Sequence, residues 1–142
     1  MARFNSSEIE KILIAHGIRP TANRILVAGT IATADYPVSQ MEIEDLLQTV
    51  DRSTVSRSVA VLQDAGLLHS VDDGSGMMKY EICHAAGEDV DDDAHVHFRC
   101  RKCGRTSCFH HIPVPQVEVP EGYVVEHSNY VITGICPQCA SR

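Results

Sequence analysis

Two pairs of cysteines, Cys100 with Cys103 and Cys136 with Cys139, carry the Cys-x-x-Cys spacing that turns two sulfurs toward one ion. Together they supply four thiolates, a complete tetrahedral shell for Zn2+ that ties the start of the last third of the chain to its end. A filled four-thiolate shell leaves no position open to a substrate, so the expected role is structural. Two disulfides or an iron centre would use the same residue types. The opening residues Met1 to Ser7 lack the apolar core and cleavage site of a signal peptide, so the expected location is the cytoplasm. There thiols stay reduced and favour metal over disulfides.

A second set of donors is dispersed: His69, Cys83, His84, His95, His97, Cys108, His110, His111 and His127. His95 and His97 alternate, so on a strand both project to the same side. With His69 and Cys83 they form a candidate regulatory site of three imidazoles and one thiolate, a donor set that suits zinc, bridging two parts of the chain. The plainer alternative is an exposed His-x-His strand, with Cys83 a small buried hydrophobe.

These ligands need elements to position them. In a chain of 142 residues, 44% hydrophobic and 22% charged, one domain or two small ones are expected. The first part is helical in pattern. Ser7 and Glu10 have capping-box spacing, Ile9, Ile12 and Leu13 form a stripe, and Gly17 ends the helix. Thr21 can cap a second helix carrying Ile25, Leu26 and Ile31, and Ser39 with Glu42 opens a third bearing Ile43, Leu46 and Leu47. A fourth helix, over about 53–65, faces Val55, Val59 and Leu62 inward, and Gly66 stops it. Two strands, 67–71 and 77–83, then flank a hairpin loop from Asp73 to Gly76.

Short helices followed by a hairpin give the order of a winged helix-turn-helix. The fold class expected is therefore α+β, with a DNA-binding domain over 1–83 and an acidic linker over 84–94. A small mixed α/β domain over 95–142 carries the four-cysteine zinc site. The fourth helix presents Arg52, Ser53, Thr54, Ser56, Arg57 and Ser58 opposite its apolar stripe, where hydroxyls and guanidinium groups can meet phosphates or guanine edges. Arg19, Arg24 and Lys79 are further candidate phosphate contacts. The net charge of −7 makes attraction to arbitrary DNA weak, so binding must come from locally grouped positive charge. No apolar run is long enough to span a membrane.

The chain resembles the ferric uptake regulator family over nearly its whole length. The matching stretches are Gly17-Ile18-Arg19-Pro20-Thr21-Ala22-Asn23-Arg24, Ser53-Thr54-Val55-Ser56-Arg57, and Asp64-Ala65-Gly66-Leu67. They continue with His95-Val96-His97-Phe98-Arg99-Cys100-Arg101-Lys102-Cys103-Gly104 and close with Gly134-Ile135-Cys136-Pro137-Gln138-Cys139. The resemblance implies a homodimeric, metal-responsive repressor of metal uptake or homeostasis genes that binds double-stranded operator DNA. It also implies a dimerisation domain holding structural zinc, and a second divalent metal that fixes the DNA-binding domains.

Departures from the family pattern are specific. Ser56 stands where a tyrosine is common in the recognition helix, and Pro37 where many members carry a metal-binding histidine. The prolines between 111 and 120 forbid a long dimerisation helix. His127 lies one residue further from Cys136 than the usual ligand. Cys83 falls where zinc-sensing members carry a cysteine ligand, and His69 where they carry an aspartate. Glu81 matches the acidic ligand of iron-sensing members. A thiolate with imidazoles favours Zn2+ over Fe2+ as the second metal. An iron-responsive or peroxide-responsive repressor is the alternative within the family, and a zinc-ribbon interaction module that does not bind DNA is the alternative outside it. An enzyme is not expected: a zinc deaminase needs His-x-Glu and Pro-Cys-x-x-Cys, and neither occurs here.

Overall fold

The computed structural model describes residues 4–82, 96–109, 111–126 and 128–141. The chain divides into two compact units, Met1–Ala86 and Gly87–Arg142. The acidic stretch 84–94, Cys83, His95, His110 and His127 lie outside the described residues.

Unit 1 begins with α1 (Ser6–Ala15) and α2 (Ala22–Thr33), followed by a two-residue strand β1 (Val38–Ser39) that runs into α3 (Gln40–Leu46). Then come α4 (Arg52–Asp64) and the wing strands β2 (Leu68–Asp72) and β3 (Met78–Ile82). Each helix starts on a side-chain cap. Thr21 and Ser39 accept from the backbone N–H groups of Arg24 and Glu42, as expected. The capping box of α1 is formed by Asn5 and Glu8 rather than Ser7 and Glu10, because the helix starts one residue before Ser7.

Two helices stop in the same way. Gly17 and Gly66 take φ of 72° and 78°, which lets Ile18 N–H reach the Leu13 carbonyl and Leu67 N–H reach the Leu62 carbonyl. In this motif the residue after the glycine returns to the core, and both Ile18 and Leu67 are buried there. The core of unit 1 joins Ile9 and Leu13 to Val27, Ala28, Ile31 and Ile43, and then to Val55, Val59, Leu62 and Ile82. Leu26 and Leu46, expected on the inner stripes, are 46% and 65% exposed. In α2 the buried face runs through Val27, Ala28 and Ile31, and α3 is so short that Ile43 alone is buried.

The wing sheet has the order β1-β3-β2. The strand β1 does not appear in the hydrophobic pattern, since it is only two residues long. Its pairing makes β3 the central strand, with Ser39 and Val71 flanking Lys79 in register. This placement corrects the expectation that Lys79 reaches phosphate. Its ammonium is buried and lies 2.7 Å from the carboxylate of Asp73, also buried. The other Asp73 oxygen accepts from Ser75 N–H, so the pair fixes the wing turn. Ser58, expected on the exposed side of the fourth helix, is buried too.

Unit 2 is a three-stranded sheet in the order β5-β4-β6, built from β4 (Val96–Cys100), β5 (Thr106–Phe109) and β6 (Tyr130–Gly134). A single-turn helix α5 (Pro137–Ala140) follows. β4 pairs antiparallel with β5 and parallel with β6. The Phe98 and Phe109 rings stack with centroids 6.0 Å apart, and Gly134 leaves room for Phe98, whose Cζ lies 3.0 Å from where a Cβ would stand. Residues 111–126 contain no helix, in keeping with their prolines.

Removing the Asp73 carboxylate leaves a buried ammonium without its ion pair. Asp73→Ala is expected to cost about 3–5 kcal/mol of unfolding free energy, measured by urea denaturation. An Asp73→Leu, Lys79→Met double variant should recover most of that loss.

Candidate metal centre and nucleic-acid interface

The parallel pairing of β4 with β6 assembles the sulfur cluster. Its register places Cys100 beside Gly134, and Arg101 N–H donates to the Gly134 carbonyl at 2.9 Å. Cys136, two residues on, therefore arrives next to Cys100. Cys103 is returned by a tight turn in which Gly104 N–H bonds to the Cys100 carbonyl, while Pro137 starts the helical turn that carries Cys139. All four sulfurs lie within 4.8 Å of one another. The Cys103 and Cys136 Sγ atoms are 3.9 Å apart. A tetrahedral zinc with bonds of about 2.3 Å requires sulfur–sulfur edges of about 3.8 Å, so the cluster fits that ion. The structure thus brings together the four cysteines expected to hold structural zinc.

The backbone prepares one sulfur for metal. Cys103 N–H and Cys136 N–H approach the Cys100 Sγ at 3.5 and 3.4 Å. These donors, Cys103 first, lower the Cys100 thiol to about 5. Cys139 moves the other way, up to about 12, because its hydrogen bond to Cys136 favours the protonated form and burial adds to this. Arg101, Lys102 and Arg105 stand exposed on the same turn, positive charges that offset a four-thiolate centre.

The dispersed donors are brought together in pairs within each unit. In the wing, His69 on β2 lies opposite Glu81 on β3. In the second sheet, buried His97 on β4 lies opposite Cys108 on β5, with a ring nitrogen and the sulfur within 4.8 Å. His111 is exposed in the chain beyond β5. Cross-strand placement could be foreseen for neither pair, because it depends on register rather than on spacing along the chain.

The face of α4 is arranged more tightly than its sequence suggests. Asp51 caps the helix and accepts from the Thr54 N–H at 3.2 Å. It also takes the hydroxyl protons of Ser53 and of Thr54, the latter at 2.6 Å. Those bonds, Ser53 first, hold the Asp51 carboxyl down at about 2. Arg52 is exposed but pairs with Glu44 of α3 at 3.3 Å. The Arg57 guanidinium donates to the Thr54 hydroxyl oxygen at 3.5 Å. Arg24 donates to the Arg19 carbonyl at 3.1 Å, so these two residues form one local structure at the start of α2.

The sequence profile of the Ferric uptake regulator family matches residues 15–134, spanning both units. The chain belongs to this family. Membership accounts for the winged helix, the second sheet and the paired cysteines in one chain. The zinc uptake regulation protein of Escherichia coli K12 is 23% identical over 141 residues, covering 94% of this chain and 80% of the relative. Among solved structures, a zinc uptake regulator complexed with zinc and DNA superposes with a TM-score of 0.67 at 21% identity, covering 96% of this chain and 93% of that one. The Helicobacter pylori ferric uptake regulator gives 0.60 at 19%, covering 99% and 97%. At such identities the structures establish the shared fold.

The metal-free family member should release protons on taking up zinc at pH 7. Cys139 holds its proton well above that pH, whereas Cys100 has already lost its own. Zinc affinity should therefore rise with pH, and calorimetry in two buffers of different ionisation enthalpy measures the proton count. Cys100→Ser should lose zinc and unfold unit 2, because structural zinc contributes roughly 10–16 kcal/mol of apparent binding free energy.

Proposed function

We propose that this family member is a zinc-responsive, DNA-binding transcriptional repressor that acts as a homodimer on genes of metal uptake or homeostasis. The observation that carries the proposal is one chain holding both a winged helix with an arginine-bearing recognition helix and a closed four-thiolate cluster. The curated relative is a zinc uptake regulator, and a similar fold has been solved with zinc and DNA. A regulator, rather than an enzyme, suits a metal shell with no open position.

Operator contact is assigned to α4, with Arg57 and Ser56 facing base edges and Arg52, Ser53 and Thr54 flanking them in its first turn. Arg19 and Arg24 support it from the start of α2. Structural zinc is assigned to Cys100, Cys103, Cys136 and Cys139. The regulatory metal is assigned to His69, Cys83, His95 and His97, with Cys108, His110, His111 and His127 as secondary candidates. The burial of His97 beside Cys108 supports a soft-donor site suited to zinc. Glu81 opposite His69 favours the second reading, an iron-responsive repressor, if the carboxylate replaces the Cys83 thiolate. Ligands drawn from both sides of the acidic linker let metal act by population shift, enriching the arrangement that fits two operator half-sites.

A dimer surface is supported by the apolar side chains that unit 2 leaves uncovered. Val117, Tyr123 and Val124 are 75%, 71% and 87% exposed, and Ile112 and Ile132 lie partly exposed with them. A second copy of the chain would bury such side chains. Domain limits of 1–83 and 95–142 around an acidic linker, and a cytoplasmic location, complete the proposal.

Arg57→Ala should weaken operator binding by about 1–3 kcal/mol while leaving metal content unchanged. Cys83→Ser and His97→Ala should keep the dimer and its four-thiolate zinc but lose zinc-stimulated DNA binding. Electrophoretic shift with zinc or ferrous iron restored to metal-depleted protein distinguishes the two metals. A Cys83→Ser protein that still responds to zinc would transfer the ligand role to Glu81.

A further inference from the structure

We propose that Asp51 is a specificity-determining residue of the DNA interface: it withholds the start of the recognition helix from phosphate and, through Thr54, positions Arg57 for a base edge. This inference rests on the DNA-binding function proposed above. The start of a helix ordinarily attracts anions, because its first N–H groups are unsatisfied and its dipole is positive there. Hydroxyl donors in the first turn usually add phosphate contacts. In α4 the Thr54 N–H and both first-turn hydroxyls are already committed. The Asp51 carboxylate accepts from the Thr54 N–H and from both hydroxyls, Ser53 and Thr54. It is exposed, and those three bonds hold its negative charge in place at the first turn. A phosphate approaching this end of the helix meets a fixed negative charge where the Thr54 N–H and the two hydroxyls would otherwise be offered.

The neighbouring cation is offset in the same way. Arg52 points to solvent, yet its guanidinium pairs with Glu44 of α3. The wing lysine, Lys79, is buried against Asp73 and unavailable to phosphate. Among the described residues, Arg57 bonds to the Thr54 hydroxyl oxygen and to no carboxylate. Thr54 gives its proton to Asp51 and offers its lone pair to Arg57, so the carboxylate orients the hydroxyl and the hydroxyl orients the guanidinium. An arginine held in this way suits the two acceptors of a guanine edge better than the diffuse field of a backbone. The face is therefore built to bind through base contacts, with sequence-independent attraction suppressed.

The test uses the full-length, zinc-loaded dimer, a duplex recovered by in vitro selection with the wild-type protein, and a scrambled duplex of equal length. Fluorescence anisotropy across a salt series gives affinity and salt slope for each. Asn accepts the capping bond as Asp does, so Asp51→Asn removes the charge and keeps the cap. It should tighten binding to the scrambled duplex about three- to tenfold and steepen the salt slope by about one per recognition helix, lowering the preference for the selected duplex. Asp51→Ser, a second capping residue, should act in the same direction. Thr54→Val should weaken the selected duplex and leave the scrambled one unchanged. Thermal melting of each variant separates these effects from loss of fold. Unchanged affinity and slope on the scrambled duplex for Asp51→Asn, or a parallel loss on both duplexes, would reduce Asp51 to a helix cap and overturn the proposal. Failure of wild-type protein with zinc to bind either duplex, or equal binding of both, would overturn the proposed operator-binding function itself, before any variant is compared.

Discussion

A sheet of three short strands cannot hold itself together when almost nothing apolar is buried between its faces. That constraint governs unit 2. Its buried hydrophobic positions among the described residues are Val96, Cys100 and Cys139, and two of these three are sulfur donors. The four-sulfur cluster therefore replaces the core that a segment of this size does not build. It closes the turn after β4, fixes the parallel strand β6 beside it, and anchors α5 at the C-terminal end. The apolar side chains of 112–132 remain outside, where a second copy of the chain can cover them.

Unit 1 solves its own assembly by different means. Its core is a continuous set of aliphatic side chains from four helices and the wing, and two left-handed glycines turn Ile18 and Leu67 back into it. Polar groups are buried in one prominent place, the Lys79–Asp73 pair, where the central strand of the wing sheet would otherwise bury an unpaired ammonium. The outcome is a wing whose lysine is buried and an α4 whose first turn is internally bonded. The overall charge of −7 acts in the same direction as these local contacts, because it weakens attraction to arbitrary polyanions.

The sequence by itself determined the order of the four helices and the hairpin of unit 1, the helix stops at Gly17 and Gly66, and which four cysteines converge. These depend on local chemistry: a cap bonds three residues away, a glycine supplies its own φ, and a Cys-x-x-Cys turn converges on one ion. Family membership was likewise legible from motifs in a fixed order. Only the tertiary structure decided the rest. That Lys79 is buried depends on β1, two residues long, reaching β3 from beyond α2. That His97 faces Cys108 and His69 faces Glu81 depends on strand register, which has no signature in the spacing of either chain segment. The Ser53 and Thr54 hydroxyls read along the chain as donors for DNA, but whether a hydroxyl proton is free is settled by the position of its nearest acceptor. Here that acceptor is Asp51, whose carboxylate is held in place by the start of the helix it caps.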